Sequence, residues 1–227
     1  MRFTILFLLI TLPLSIFSQH KPSQWLCEAE DASSKVTFIE DGVIDIIAPK
    51  GLTLWYKKPV KGNTIIDYDA RIVVEETNNE KWNRLSDLNC FWMATDPDAK
   101  QGNVLTHAKE RQGIFVNQYA LKLYYVGYGG NHNSTTRFRR YDGDKQGIKE
   151  AIHRPAILTE YKDKEHLLKP NHWYHIHLEQ IDGNIKYEID GETIVEYKDE
   201  NPFTSGYFGF RTTLSHAQMK NFRITKH

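Results

Sequence analysis

No stretch of this chain repeats apolar residues at i, i+3, i+4 and i+7. Short alternating runs recur instead, bounded by Gly, Asn, Asp and Pro. They fall at 35–40, 43–48, 53–56, 70–75, 89–94, 113–117, 121–128, 137–141, 173–180, 184–189, 193–198, 206–212 and 219–225. Asp41-Gly42, Asp182-Gly183 and Asp190-Gly191 separate such runs. Asp and Gly accept the positive φ of a tight hairpin turn. Only 97–108 and 145–151 have room for a helical turn. Strand after strand at this spacing predicts an all-β fold of two packed antiparallel sheets.

Composition supports a packed core. Hydrophobic residues make up 40% of the 227 and aromatic residues 12%, too rich a set for a disordered chain. Twenty-nine Lys and Arg balance 29 Asp and Glu. A nucleic-acid partner or an anionic membrane surface asks for a basic surplus, so neither is expected.

Met1-Arg2 precedes an apolar run from Ile5 to Phe17, with small residues near Ser18. This is the pattern of a secretory signal peptide, and the run is short for a membrane span. The expected organisation is a signal over 1–18 and one domain over 19–227, exported to the periplasm or beyond, with no membrane attachment after cleavage. Cys27 and Cys90 then either form a disulfide or stay as two thiols. They lack CxxC spacing, so no zinc site is expected.

The last third reads Trp173-Tyr-His-Ile-His-Leu, Ile185-Lys-Tyr-Glu-Ile-Asp-Gly-Glu, Gly206-Tyr-Phe-Gly-Phe-Arg211 and Lys220-Asn-Phe-Arg-Ile224. This resembles the closing strands of the concanavalin A-like lectin/glucanase jelly roll. The middle segments, Asp87-Leu-Asn-Cys-Phe-Trp-Met93, Gly127-Tyr-Gly-Gly-Asn-His-Asn133 and Arg137-Phe-Arg-Arg-Tyr-Asp-Gly143, resemble a secreted family of unknown function. That family occurs in the polysaccharide-degradation systems of Bacteroidetes. The resemblance implies a β-jelly-roll sandwich and a carbohydrate setting. It does not imply one chemistry, because jelly rolls host binders, hydrolases and lyases.

The glucanases of this fold carry E-x-D-x-E on one strand, and Glu188-Ile-Asp190-Gly-Glu192 has that spacing. Asp190-Gly191 is a turn signal, so these acids read as hairpin residues. The segment from Tyr128 to Tyr141 is richer, with two Tyr, one His, two Asn and three Arg and no acid. Alternation places Arg137, Arg139 and Tyr141 on one face and Phe138 and Arg140 on the other. Arg suits carboxylate recognition because its fork grips both oxygens.

A positive group beside Tyr and His is what β-elimination of a uronic acid needs. Tyr128, His132 and His107 are the candidates for proton transfer. Arg137, Asn131 and Arg111 would neutralise the sugar carboxylate. Asn89, Arg139, Tyr141, Arg211 and Trp92 are further candidates for substrate contact, with Trp82 as a second ring to stack on a sugar. His175 and His177 share a strand face, but a lone H-x-H is weak evidence for metal. Arg154 and Tyr161 lie in a long connection placed to close over a groove.

The sequence thus predicts a lyase acting on an acidic glycan. A glycoside hydrolase, including the 3-keto-glycoside type, and a non-catalytic glycan-binding module are its rivals. The expected partner is an oligo- or polysaccharide, bound by a monomer or weak dimer. No cofactor is expected, with a structural calcium ion left open.

Overall fold

The computed structural model describes residues 21–144 and 154–227. The expected signal peptide, the turn at 145–151 and His153 lie outside them. Two long strands organise the rest: β3 (Ile44–Tyr56) and β13 (Ser205–Lys226). Both bend where Ser215 pairs with Ala48 and Thr213 with Gly51, so that Pro49 and Lys50 face the single Leu214. Leu214 takes φ 51° there. Such a bulge bends a strand, and a proline is tolerated where no ladder donor is required.

Each half of the bent pair serves a different sheet. The front sheet runs β1 (Trp25–Ala29), β3, β13, β6 (Leu88–Thr95), β7 (Lys122–Gly129), β8 (Thr135–Asp142), β9 (Ile157–Tyr161). The back sheet runs β2 (Lys35–Phe38), β3, β13, β5 (Thr64–Val73), β10 (Tyr174–Ile181), β11 (Asn184–Ile189), β12 (Glu192–Lys198). Short β4 (Val60–Lys61) pairs with the start of β13. The pairings are antiparallel, and the fold is a β-sandwich.

The core lies between the sheets. Leu54, Phe208, Phe210, Cys90, Trp92, Tyr124, Val126, Tyr128 and Phe138 meet Ile46, Met219, Ile66, Tyr68, Ile176 and Tyr187. Asp182 and Asp190 adopt φ of 49° and 52°, each followed by a positive-φ glycine, and they form the expected hairpin turns. Glu188, Asp190 and Glu192 are hairpin acids: Glu188 pairs with Lys186 and Thr193, and Asp190 accepts from the His175 N–H.

Several expectations need correction. The run 113–117 is no strand, and Phe115–Ala120 forms a 3-10 helix instead. The buried Glu28 carboxylate takes the Gly113 N–H and the Gln118 amide, which holds this segment off any ladder. β9 occupies part of what read as a long connection. Cys27 and Cys90 are free thiols. Cys90 sits in the core beside the Tyr68 hydroxyl, and burial pushes its thiol up to about 12.

Candidate functional site

Alternation along the front sheet decides which side chains leave the core. On β7, Tyr124, Val126 and Tyr128 point inward, so Leu123, Tyr125 and Gly127 face out. On β8, Phe138 points inward, and Thr135, Arg137, Arg139 and Tyr141 face out. Part of this outer face is roofed by the segment between β6 and β7. Val104, Tyr119 and Leu121 of that segment pack on Trp55, Phe91, Ala94, Leu123, Tyr141 and Tyr207 of the sheet.

The roof is pinned by a buried charge cluster. Glu28 accepts from Trp55 Nε1 at 2.8 Å, Arg111 Nη2 at 2.9 Å, the Gly113 N–H at 3.1 Å and Gln118 Nε2 at 2.6 Å. Arg111 also donates to Asp96 at 3.2 Å and to the Val104 carbonyl. Asp96 in turn meets His107 Nδ1 at 2.9 Å. Arg211 is buried too. It donates to Thr53 Oγ1 and the Gly113 carbonyl, lies over the Phe115 ring, and has its pKa lowered by burial.

Beside the roof an open pocket of about 290 Å³ remains on the outer face. Among the described residues, four guanidinium groups, Arg84, Arg137, Arg139 and Arg154, line it with a single carboxylate, Asp87. The rings of Phe115, Tyr119, Tyr125 and Tyr141 form its apolar walls, and His132 and Asn131 stand at its rim.

Three of the four arginines are held by part of their donor sets. Arg137 Nε donates to Glu160 at 2.6 Å, and Arg139 donates to the Pro155 carbonyl. Arg84 Nη2 donates to Asp87 at 2.9 Å, and Arg84 Nη1 meets His132 Nδ1 at 3.4 Å. A guanidinium can only donate, so His132 Nδ1 is the acceptor in that contact. Burial and the nearby Asp87 charge raise the Tyr125 pKa well above its ordinary value, against the opposing pull of Arg211 and Arg139. Tyr125 therefore keeps its proton.

The turn that presents His132 is unusual. Asn131, His132 and Asn133 take φ of 52°, 60° and 55° in succession, a left-handed run that costs energy for residues with a Cβ. The Asn133 side chain clamps it, donating to the Leu168 carbonyl at 2.9 Å and accepting from the Leu168 N–H at 2.8 Å.

The pocket gathers six residues expected from sequence: His132, Arg137, Arg139, Asn131 and Tyr141, with Arg154 from the long connection. It excludes the others. Tyr128 points into the core, with its hydroxyl on the Leu167 carbonyl, and Trp92 lies between Tyr124 and Phe138. Both are inward because their strand partners at odd positions take the outer face. His107, Arg111 and Arg211 belong to the roof and its pinning. Asn89 is buried against Asp87. Sequence reasoning missed Arg84, Asp87 and Tyr125. Tyr125 was within reach, since it alternates with Gly127 on the strand already recognised. Arg84 and Asp87 come from a loop with no periodic signal.

His175 and His177 lie on the outer face of the back sheet, far from this pocket in the strand order. There β5 supplies acids that the local sequence does not: His175 Nδ1 meets Asp69 at 2.8 Å, and His177 Nδ1 meets Asp67 at 2.7 Å. No group of three or more His, Cys, Asp or Glu suited to a metal ion occurs among the described residues.

Solved structures share this fold at low identity. The carbohydrate binding module CBM66 from Bacillus subtilis superposes with a TM-score of 0.57 at 12% identity, covering 89% of this chain and 96% of its own. The exoplasmic/lumenal domain of VIP36, solved with Ca²⁺ and Man3GlcNAc, gives 0.58 at 10%, covering 92% and 89%. A candidate glycosyl hydrolase from Parabacteroides distasonis gives 0.53 at 14%, covering 93% and 92%. These likenesses establish the lectin-like jelly-roll sandwich. No curated protein matches the chain by sequence. Residues 46–222 match the family described as a domain of unknown function (DUF6250), and the chain belongs to that family.

Proposed function

We propose that the chain binds an acidic saccharide, with the sugar carboxylate held by the arginines of the outer-face pocket. The observation that carries this is the lining itself, in which, among the described residues, four guanidinium groups and four aromatic rings surround about 290 Å³ with one carboxylate. Charge-assisted bonds from Arg fix a carboxylate, and aromatic walls suit the apolar face of a sugar ring. The sugar-binding descriptions of CBM66 and VIP36 support a glycan as the ligand class. The exported setting expected from the N-terminus belongs to the same proposal.

Binding is favoured over chemistry by the Tyr and the His that the pocket presents. Elimination asks one group to take the C5 proton. Tyr125 keeps its own proton, and His132 Nδ1 is engaged by Arg84. Hydrolysis by a carboxylate pair needs two acids flanking the bond, and Asp87 is the single acid lining the pocket among the described residues.

Calorimetric titration with uronic-acid oligosaccharides and their neutral counterparts tests the reading. Acidic sugars should bind and neutral ones should not, and Arg139→Ala should weaken binding at least tenfold. Equal binding of both classes, or of neither, sinks it. Absorbance of an unsaturated product in the same mixtures would reinstate elimination.

A further inference from the structure

The loop beside the pocket reaches round the bend of β3 and β13. The loop that supplies Arg84 and Asp87 begins at Glu75, and its first half lines a second depression of about 820 Å³. Asn78, Asn79 and Trp82 face Asp31, Pro49 and Lys50 there. The two depressions are linked by the loop and by the bend of the strands. Trp82 lies two residues before Arg84, and Thr213 of the pocket is the strand partner of Gly51, next to Lys50. Neighbouring strands are about 4.8 Å apart.

This loop is built rather than slack. The Asn83 side chain donates to the Glu75 and Asn78 carbonyls, both at 2.7 Å, and accepts from the Glu75 N–H at 2.9 Å. The Trp82 ring is fixed edge-to-face against His216 at 6.0 Å, and His216 is held by Asp45 at 2.7 Å. A positioned, part-exposed Trp among amide and mixed-charge side chains suits a neutral sugar ring. At the opposite end the pocket is stopped by Phe115 and Tyr119 of the roof.

Building on the acidic-saccharide reading, we propose that the ligand is the end of an oligosaccharide chain. Its terminal acidic residue fills the arginine pocket against the roof. The following residues leave past Arg84 and Thr213, and a neutral residue stacks on Trp82. Cost of ordering such a chain is low because both subsites are preformed.

The test is titration of one acidic oligosaccharide series, from monosaccharide to tetrasaccharide, into the wild type and into Trp82→Ala and Lys50→Ala. Wild-type affinity should rise at least tenfold along the series. Trp82→Ala should abolish that rise yet leave monosaccharide affinity unchanged, and Lys50→Ala should reduce it. Binding sites per mass of the parent polymer should increase after partial depolymerisation, because new ends form. Equal affinity at every length, an equal loss for monosaccharide and tetrasaccharide in Trp82→Ala, or a constant number of sites per mass overturns the chain-end assignment while leaving the arginine pocket standing. Failure of every acidic sugar, the monosaccharide included, overturns both.

Discussion

Gly127 leaves room for the hydroxyl of Tyr125, two residues back on the same face of β7. A Cβ at position 127 would lie 2.3 Å from Tyr125 Oη and 2.8 Å from its Cζ. The ring has little freedom to yield, because Phe91, Phe115 and Tyr141 pack around it. Gly127→Ala should therefore displace the ring into the pocket. The overpacking should cost about 1–3 kcal/mol of stability, and ligand affinity should fall more than the thermal midpoint suggests. Thermal melts and titrations on one preparation check this. Unchanged affinity would show that Tyr125 does not shape the pocket.

Glu28 is the post on which the roof is hung. Its side chain is inaccessible, and so, nearly, is that of Arg111. Glu28→Gln leaves Arg111 with less compensating charge in a dry site. Breaking such a pair costs about 3–5 kcal/mol, to be read from urea unfolding. Hydrogen exchange should rise first across 96–121, and a loss confined to the back sheet would contradict the arrangement.

Asn133 should matter for both stability and binding. Asn133→Ala removes two hydrogen bonds that hold a left-handed turn, at about 1 kcal/mol each. The turn carries His132, so affinity for the acidic sugar should fall as well. Asn133→Asp keeps the acceptor for the Leu168 N–H and should lie between wild type and Ala in a thermal melt.

The back sheet predicts a pH dependence. Burial works against a charge on His177, but hydrogen bonds to Asp67 at 2.7 Å and Glu179 at 3.0 Å outweigh it and raise its pKa. Burial likewise opposes ionised Asp67, and bonds from His177 and Arg223 overcome it and lower its pKa. The His177 contribution is full below its unfolded value of about 6.5 and fades as pH rises through the folded value. The Asp67 contribution is full above about 3.9 and fades as pH falls through its folded value. Unfolding free energy should thus decline on the alkaline side, and His177→Gln should flatten that decline. An unaltered profile in the variant would place the titration elsewhere.

The strands were legible because their period is two and the core they face is mainly apolar. Arg137, Arg139 and Tyr141 were assigned to one face by counting alone, and that face is the pocket. Tyr128 was chosen for its chemistry, and nothing local says which face of its strand is outward. Partners across the sheet settle that: Phe138 and Val126 are inward, so Tyr128 is inward. Residues 113–117 failed for a different reason. Their alternation resembles a strand, but the carboxylate that captures them is 85 residues earlier at Glu28. Arg84 and Asp87 stayed hidden because a loop has no period to read.

The sharing of β3 and β13 between both sheets also sets a timetable. Of the two shared strands the later is β13, Ser205–Lys226, the last of the described strands in chain order. Until they arrive, β5 and β6 lack their central neighbour, and each sheet has a gap through its middle. Few contacts here are local, and such topologies fold slowly. A growing chain can form hairpins such as β11–β12, but neither layer can close before β13 is free. Molecules cut short before β13 should therefore be quality-control substrates rather than half-folded domains.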